Sequence, residues 1–582
     1  MGALADTPGG GAATDTADAA EGPQAPKDAA VAGGAAAPQF GTTSGGDEND
    51  DAKLLAMGYQ PQLRRDFRLL TSFAISFTIV SILTGLTGLY GLGFAYGGPV
   101  VIIWGWPICV AFTTCIAAAL AELCSAYPAA GGVYYWSWSV APRRFRGLAA
   151  WLTLWLNLIG LVGVESGINY TFAVTLQAAV QMARPGWAAT PAQLFGIYCG
   201  VTVCHALINT LPIHAIGVMN RVSIVWHLGA ILAFCIALPC IAPAHQPPSY
   251  VFTKFNAADG AGITSLAHSL FLGTLMSQFT LTGYEASAKV AEESKDASRT
   301  APLAIVLTVV TSGVVGWAYL LATTFSIQDP GSLLDPGNAT RGANVFAQVL
   351  FDASMARFGR ADAAVVLLAL ILPAQFFCGA SCLTDGSRAL FAFARDRAVP
   401  FPRAVAWVHP RTRVPVVTVW VMAAATVVIA APMLGSLTAY TAVTSIATIG
   451  TYLSYGAPIA LRLGTALCGC STFEPGPISL GRWSVPVCAV ATFWVLFITA
   501  LFVLPTVQPV TAATLNYAGP LTGGVLLLVL LGWLLGARRY FDGPLTPPPG
   551  GGALEAPAAA VEAPAAATGG GGGAPGRGAK EV

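Results

Sequence analysis

The sequence predicts an all-α polytopic membrane protein that crosses the bilayer twelve times. Hydrophobic residues make up 55% of its 582 residues and charged residues only 10%, whereas soluble domains carry roughly 25% charged residues. Twelve apolar segments each have about the 20 residues that a helix needs to cross the hydrocarbon core. Lys and Arg concentrate in alternate connections between these segments. These observations exclude a soluble globular protein, and the net charge of +1 gives no indication of a nucleic-acid partner.

The predicted spans follow one another closely along the chain. Hydropathy places their boundaries to within a few residues, at 70–94, 98–126, 144–180, 191–211, 217–241, 264–288, 302–326, 361–390, 413–432, 437–461, 485–506 and 517–537. The third span is longer than a bilayer requires, so we expect it to tilt or to project beyond the membrane.

The distribution of Lys and Arg predicts the orientation of the spans. With the amino terminus inside, the inner connections hold most of the basic residues. The outer connections hold only Arg184, Lys254, Arg341, Arg357 and Arg360. Because basic residues favour the cytoplasmic side and the number of spans is even, we expect both termini to be cytoplasmic. The sequence does not distinguish the plasma membrane from an organelle membrane.

Low-complexity segments flank the apolar region. Residues 1–56 and 541–582 are rich in Ala, Gly and Pro and poor in large apolar side chains. Such segments cannot bury enough apolar area to offset chain entropy, so we expect both tails to be disordered and the membrane domain to occupy 57–540. Within that domain, Asn338 begins an Asn-Ala-Thr sequon in a predicted outer loop and is a candidate glycosylation site.

The first span carries residues that weaken a helix at mid-membrane depth. It reads Thr84-Gly85-Leu86-Thr87-Gly88 at that point. Gly holds a helix poorly and Thr can bond to freed backbone groups, so we predict that the backbone unwinds here. Unwound backbone at that depth is tolerated only where it lines a polar cavity or is buried in protein. The alternative is that the glycines let another helix approach closely.

The sixth span contains a second predicted interruption. Its centre includes Phe279, Thr282, Gly283, Tyr284 and Glu285 and so combines polar residues, a glycine and a carboxylate. Interrupted helices expose amide groups that attract a carboxylate and carbonyl groups that attract an ammonium. Some transporters built from inverted repeats use a pair of such interruptions. A site that holds both ends of an amino acid is therefore the leading hypothesis.

Four stretches of the chain resemble one family of membrane proteins. They are ISFTIVSILTGLTGLYGLGFAYGGP at 75–99, AELCSAYPAAGGVYYWS at 121–137, GYEASAKVAEESKDASRTAPLAI at 283–305 and FFCGASCLTDGSRALFAFARDRAVPFP at 376–402. Together they resemble amino acid permeases of the amino acid-polyamine-organocation superfamily. The resemblance is to the amino acid/choline transporter branch, which includes GABA permeases and the bidirectional amino-acid transporters of plants and fungi.

The resemblance implies ten core helices in a five-plus-five inverted repeat, with helices 1 and 6 broken and two further helices at the carboxyl end. Repeat one would occupy about 70–241, repeat two about 264–461 and the extra helices about 485–537. The family works by alternating access to a central site. The chain departs from the family pattern at Arg397, where Gly is more frequent, and at Glu285, where Asp is more frequent.

Three ionisable residues are candidates for proton coupling or gating. Glu285 directly follows the second interruption and is a candidate proton carrier, unless it only caps the second half of its helix. His227 in the fifth span is a second candidate for proton coupling, against a structural role as a hydrogen-bond donor. Glu122, at the inner end of the second span, is a candidate for a gate, for helix packing or for substrate contact.

The third span has a polar face. Asn157, Glu165 and Asn169 fall near one side of that helix. By superposition on the third helix of the family, Asn157 and Glu165 lie near the substrate cavity, where a carboxylate would favour the amino group of a substrate or a larger cation. The alternative is a packing hydrogen bond to another helix.

These features lead to one leading function and several alternatives. We expect a secondary active transporter that moves an amino acid or GABA, either coupled to a proton or sodium gradient or working by exchange. The alternatives are a transporter of organic cations such as choline or a polyamine, and an amino acid sensor that does not transport. An enzyme is not expected, because the six histidines are dispersed without a paired motif. We expect no cofactor and no metal.

The twelve cysteines are scattered, mostly through the apolar spans. The one close pair is Cys468 and Cys470, on the predicted inner side. We expect most of these side chains to act as small hydrophobic packing residues.

Overall fold

The computed structural model describes residues 51–544 except 56, 58, 60–64, 66, 185, 257–260, 343, 436, 512, 513 and 542. The side chains of 437–444 and 447 also lie outside the description. Almost all of the two predicted disordered tails, 1–56 and 541–582, falls outside the described residues. Disorder of the tails therefore stays a prediction.

Helices make up most of the first half of the described chain. They are α1 (Leu69–Val80), α2 (Ile82–Tyr96), α3 (Gly98–Ala126), α4 (Val133–Val140), α5 (Arg146–Ala183), α6 (Pro191–Asn209), α7 (Ile213–Ile241) and α8 (Pro248–Thr253). A short helical segment at 51–55 precedes them.

The second half continues in the same way. Its helices are α9 (Leu266–Thr280), α10 (Ala286–Lys289), α11 (Ala297–Phe325), α12 (Val345–Phe358), α13 (Asp362–Arg395), α14 (Pro402–Val405), α15 (Val416–Ala430), α16 (Leu437–Leu467), α17 (Ser484–Val503) and α18 (Ala518–Leu535). α4 and α12 lie in connections where the sequence predicted no span.

Ten helical segments in the described part of the chain are long and apolar enough to cross a membrane. They are α1 with α2, α3, α5, α6, α7, α11, α13, α15, α17 and α18, some of them extended by a short 3₁₀ turn. The two other predicted spans coincide with the interrupted pair α9 and α10 and with α16. A polytopic, all-helical membrane protein is therefore confirmed, whereas the count of twelve and the division into two repeats stay predictions.

The interrupted helices lie deep inside the helix bundle. Of the apolar window in Leu69–Tyr96, 78% is buried, compared with 17% for the last span. α2 packs along α9, while α1 packs against α7, α11 and α13. The last span is therefore peripheral, and the two interrupted helices are surrounded by other helices.

Candidate functional site

The first interruption lies at Ser81, between α1 and α2. Ser81 has φ 26°, a left-handed conformation that is uncommon for a residue with a side chain. Its hydroxyl group lies 2.6 Å from the Thr84 hydroxyl and 2.9 Å from His227 Nε2. The prediction that residues 84–88 unwind is wrong, because these residues form the first turns of α2. The interruption occurs three residues earlier.

His227 on α7 supports this interruption through both ring nitrogens. Nδ1 lies 2.9 Å from the carbonyl oxygen of Ser223, which can only accept a hydrogen bond. Nδ1 therefore carries the proton in the neutral ring, and Nε2 accepts from the Ser81 hydroxyl. His227 is fully buried. The geometry gives it a structural contact with the break itself, and its part in proton coupling stays a prediction.

The second interruption covers residues 281–285, between α9 and α10, as the sequence predicts. Gly283 has φ +85°, and a Cβ there would lie 2.4 Å from Ile79 Cγ2, so this position requires glycine. Its amide donates to the Tyr455 hydroxyl at 3.1 Å. The Tyr452 hydroxyl donates to the Gln278 carbonyl at 2.7 Å. Two tyrosines of α16 thus satisfy backbone groups that the interruption frees.

The two interrupted helices approach each other through glycines. A Cβ at Gly85 would lie 2.5 to 2.8 Å from three atoms of the Thr280 side chain. A Cβ at Gly88 would lie 2.7 Å from Thr171 Cγ2 on α5. Both glycines are therefore in close helix contacts, as the alternative interpretation of this stretch proposed.

A cavity of about 20 Å³, enough for about one water molecule, lies between the two interruptions. Sites that hold small molecules usually enclose about 300 to 1,000 Å³, so the helices around this cavity would have to move apart to admit an amino acid. The described residues that line the cavity carry no charge. These residues are Ile79, Val80, Thr84, Gly85, Leu89, Val164, Ile168, Thr171, Phe279, Thr280, Thr282 and Cys378.

Only some of the residues predicted to bind substrate line this cavity. Those that do are Thr84, Gly85, Phe279 and Thr282. Leu86 is buried in the hydrophobic core, and the Thr87 hydroxyl contacts the Tyr319 hydroxyl at 3.0 Å. Gly88, Gly283 and Tyr284 lie beside the cavity lining in sequence but are not part of it.

Asn157 and Glu165 are not among the cavity-lining residues, and they contact different helices. Asn157 donates to the Ser454 hydroxyl on α16 at 3.2 Å. Glu165 Oε2 accepts from the Thr426 hydroxyl on α15 at 3.1 Å, while Oε1 has no hydrogen-bond partner among the described residues. α5 turns Val164 and Ile168 toward the cavity instead. This geometry gives Glu165 and Asn157 the packing contacts of the alternative interpretation and does not support direct contact with substrate.

A buried cluster of charged residues lies on the α10 side of the second interruption. Lys289 Nζ is 3.0 Å from Glu285 Oε1 and 2.7 Å from Asp385 Oδ2 on α13. The other oxygen of Glu285 accepts a hydrogen bond from the Tyr455 hydroxyl. All three charged side chains are at most 1% exposed. Glu285 does not cap α10 with its side chain, so the capping alternative is wrong.

Further ion pairs link the segment after α10 to the end of α13. Arg388 Nε lies 3.2 Å from Glu293 Oε1. The Arg395 guanidinium bonds to both oxygens of Glu292 at 3.2 Å. In the same region the amide and carbonyl of Phe67 pair with the backbone of residues 293–295. These contacts join the beginning of the membrane domain, the α10 segment and α13 on the predicted inner side.

Tyr59 lies among these ion pairs. Its hydroxyl donates to Asp396 at 3.1 Å, and the Arg395 guanidinium lies 4.1 Å from its ring centroid. Tyr134 also donates to Asp396. Burial, together with the negative charge of Asp396, raises the pKa of Tyr59 well above its usual value. Tyr59 therefore stays protonated and keeps donating to Asp396.

Glu122 binds a loop rather than the cavity. Its Oε1 accepts from the Ser479 hydroxyl and the Leu480 amide, both at 3.0 Å, and its Oε2 accepts from the Ser484 hydroxyl. These bonds tie the end of α3 to the segment that precedes α17. The contacts match the helix-packing alternative for Glu122.

Asn338 lies in the loop between α11 and α12. Its Nδ2 donates to the Ser332 carbonyl at 2.9 Å, and its Oδ1 accepts from the Thr340 amide at 3.1 Å. Thr340 is fully buried. An oligosaccharyltransferase would need this loop in another conformation, and glycosylation of Asn338 stays a prediction.

Sequence reasoning missed five residues that shape the site: Ser81, Lys289, Asp385, Tyr452 and Tyr455. Lys289 had a usable signal, because it lies four residues after Glu285 and such pairs meet on a helical surface. Asp385 and the two tyrosines reach the site from distant parts of the chain, so no local pattern indicates them.

Comparison with known proteins identifies the family. A family model described as amino acid permease matches residues 67–527. The chain is 38% identical over 504 residues to amino-acid permease BAT1 of Arabidopsis thaliana, and the match covers 86% of this chain and 97% of that protein. It is 39% identical over 507 residues to the BAT1 homolog of Oryza sativa subsp. japonica, covering 86% and 96%.

A fungal relative is more distant. Amino-acid permease 2 of Neurospora crassa is 30% identical over 512 residues, which covers 86% of this chain and 90% of that protein. These matches span the interrupted helices, the cavity and the charged cluster, and they confirm the resemblance that the sequence motifs indicated. The chain belongs to the amino acid permease family, whose members are membrane transporters.

Proposed function

We propose that this permease moves a zwitterionic amino acid across the membrane by alternating access to the cavity between α1, α2 and α9. The observation that carries the proposal is that both interrupted helices meet at one cavity whose described lining residues carry no charge. α2 begins at this cavity, and the first amides of a helix have no partner within the helix. These amides can receive a carboxylate. α9 ends there, and its last carbonyls can receive an ammonium group.

The side chain of the substrate is expected to be uncharged. Ile79, Val80, Val164, Ile168 and Phe279 supply apolar walls. A cationic side chain would meet no carboxylate among the lining residues that the structure describes, and burying an unpaired charge is costly. Organic cations such as choline or a polyamine are therefore the weaker alternative. GABA stays a candidate, because its two charged ends have the same chemistry as those of an α-amino acid.

Access to the inside requires the inner ion pairs to separate. Arg388 with Glu293, and Arg395 with Glu292, hold the α10 segment against α13. Each pair is largely buried. Alternating access would therefore exchange these contacts for an open path between the cavity and the cytoplasm, given the orientation that the basic residues predict.

We assign proton coupling to the cluster of Glu285, Lys289 and Asp385. Its two carboxylates and one ammonium carry a net charge of −1 when all three are ionised. Both oxygens of Glu285 are engaged, by Lys289 and by Tyr455. Asp385 Oδ1 is buried and has no hydrogen-bond partner among the described residues. A proton on Asp385 would neutralise the cluster, so Asp385 is the proposed acceptor, with Lys289 and Glu285 facing it across the helix contact.

A competition screen tests the substrate assignment. The full chain in vesicles would take up one labelled neutral amino acid in the presence of each of the twenty amino acids, GABA, choline and putrescine. We expect uncharged amino acids to compete and choline and putrescine to fail. Strong competition by choline or putrescine would contradict the uncharged lining as the basis of selectivity. Binding without flux in the same preparation would favour the sensor.

The proton assignment has its own test. Asp385→Asn should flatten the pH dependence of uptake, because the variant lacks the proposed proton acceptor and leaves one carboxylate paired with one ammonium. Asp352→Asn, on α12, is the matched control, since Asp352 contacts only Gln348 and Ser332 through its side-chain hydrogen bonds among the described residues. The control should keep the pH profile of the wild type. An unchanged pH profile in Asp385→Asn would remove Asp385 from this role. If Glu285→Gln flattened the pH profile and Asp385→Asn did not, the role would pass to Glu285.

A further inference from the structure

Cys468 and Cys470 lie on either side of the glycine that ends α16. The Gly469 amide donates to the Ala466 carbonyl at 3.2 Å, and the Cys470 amide donates to the Thr465 carbonyl at 3.1 Å. With Gly469 at φ +65°, these two bonds form a Schellman cap. The cap fixes the backbone of both cysteines, and both side chains are exposed free thiols.

The two thiols line an apolar groove on the outside of the helix bundle. α5, α16, α17 and α18 form its walls, and its volume is about 690 Å³. Small residues of α16 lie along it, among them Gly456, Ala460 and Gly464. The lining residues of α16 run from Leu453 to Thr465. The helix continues to Leu467, and at 1.5 Å per residue the stretch from Leu453 to Leu467 is about 21 Å long. The groove is long and apolar, with the thiols at one end.

The thiol end of the groove lies at the predicted cytoplasmic surface. Phe145, which precedes α5, lines the same end, and the Arg144 guanidinium lies 5.7 Å from its ring centroid. Arg462 lies nearby on α16, with its guanidinium 4.4 Å from the Phe473 ring centroid. Basic residues beside a membrane helix mark the cytoplasmic side. Thiols stay reduced in that compartment, so this pair is available as a nucleophile rather than as a disulfide.

We propose that the pair Cys468 and Cys470 is an S-acylation site and that the attached long acyl chain occupies this groove. In the reaction the cysteine sulfur attacks the thioester carbonyl of a long-chain acyl-CoA. A new sulfur–acyl bond forms, the bond to the CoA sulfur breaks, and CoA leaves as a thiol with the proton. Neither sulfur changes its oxidation state. Juxtamembrane cysteines are the usual targets of this modification.

The groove explains why a chain attached here would stay beside the protein rather than mix with the bilayer. A free lipid can enter an apolar groove from the membrane, but nothing tethers it there, so it exchanges with the other lipids of the bilayer. A chain tethered at Cys468 or Cys470 has a high effective concentration at the groove. The tether therefore makes the attached chain the favoured occupant.

Other exposed cysteines lack this combination and serve as controls. Cys204 lies within α6 and Cys240 near the end of α7, and neither lines the groove. Both thiols are exposed, as Cys468 and Cys470 are. A cytoplasmic reaction that only requires an exposed thiol would label Cys204, toward the predicted inner end of α6, whereas Cys240 lies near the predicted outer end of α7 and reports labelling without regard to side.

Metabolic labelling of the full chain with alkyne-tagged palmitate tests the site. We expect label that hydroxylamine removes, loss of that label in Cys468→Ser with Cys470→Ser, and no loss in Cys204→Ser with Cys240→Ser. An unlabelled wild type, or equal label in the double variant of the pair, would overturn the proposal. Label that organic solvent extracts without hydroxylamine would show a free lipid as the occupant and would also overturn it.

A photoactivatable acyl chain tests the groove separately from the thiols. We expect crosslinks from the attached chain to α17, near Val495 and Leu496. Gly464→Leu should remove these crosslinks while leaving the label, because a Cβ at Gly464 meets no atom within 4 Å and the larger side chain can fill the groove without a clash. Crosslinks that stay unchanged in Gly464→Leu would show that the chain lies elsewhere.

Discussion

Substitution of Gly85 by alanine tests the close contact that brings the two interruptions together. In the wild type the backbone of Gly85 lies against the Thr280 side chain. An added methyl group would lie 2.5 Å from Thr280 Oγ1 and 2.6 Å from Cγ2. Both distances are shorter than a van der Waals contact, so α2 and α9 must move apart or Thr280 must change its conformation.

Two opposing effects set the size of the change. Overpacking of a filled interior costs about 1 to 3 kcal/mol. Replacement of glycine by alanine inside a helix contributes about 1 kcal/mol in the other direction. The expected net cost is therefore up to about 2 kcal/mol. If that cost falls on the state that binds substrate, its population falls by up to about thirtyfold, at 1.4 kcal/mol per factor of ten.

Uptake of a labelled neutral amino acid into vesicles would measure this effect. Gly200→Ala is the matched control, because Gly200 also lies within a helix but a Cβ there meets no atom within 4 Å. The control should gain helix stability and keep its transport. Gly85→Ala combined with Thr280→Gly should recover part of the lost uptake, since the second change removes all three clashing atoms.

Two outcomes would refute the reasoning. Wild-type uptake by Gly85→Ala would mean that the contact between α2 and α9 has room that the structure does not have. An equal loss in Gly200→Ala would mean that the effect comes from glycine content rather than from the contact with Thr280. A thermal unfolding measurement on each variant separates loss of fold from loss of transport.

Three further substitutions test other parts of the site. Lys289→Met leaves two buried carboxylates without their cation and should lower the free energy of unfolding by about 3 to 5 kcal/mol. Thermal unfolding would show this as a lower midpoint, and an unchanged midpoint would contradict the buried ion pairs. His227→Leu removes one of the two partners of the Ser81 hydroxyl, the other being Thr84, and should cost about 0.5 to 1.5 kcal/mol. We expect a higher KM for uptake, and an unchanged KM would show that the first interruption does not need this bond. Glu165→Gln should leave uptake of neutral amino acids near the wild-type rate, and a large loss would return Glu165 to the substrate site.

The membrane spans could be predicted because the bilayer imposes one requirement on every span. About 20 apolar residues are needed wherever a helix crosses, so composition and hydropathy locate the helices without tertiary information. Interruption of the sixth span was also predictable. Gly283 adopts a backbone conformation that only glycine adopts easily, and its polar neighbours mark the same place.

The first interruption was placed three residues too late for a physical reason. Glycine and threonine at 84–88 have low helix propensity, but neighbouring helices hold them in a helix. The chain breaks instead at Ser81, whose residue type gives little local indication. At this position the Ser81 hydroxyl donates a hydrogen bond to His227, 146 positions away. Local propensity cannot contain that information.

The charged cluster shows the same division between local and distant information. Glu285 and Lys289 are four residues apart, so their pairing follows from helical spacing. Asp385 lies 96 residues further along the chain, and only the packing of α13 against the interrupted helix brings it within 2.7 Å of Lys289. Sequence reasoning therefore identified Glu285 as important but missed Asp385, which gives the cluster its net negative charge.

The two interpretations of the glycines in the first span are compatible once the position of the break is known. Gly85 allows α2 to lie against Thr280 at the end of α9, and this contact places the amino end of one half-helix beside the carboxyl end of the other. A larger residue would separate the two ends. Opposite partial charges at a short separation are what a zwitterion requires. Close packing at Gly85 is therefore a condition for the proposed binding site, although the backbone at Gly85 is itself helical.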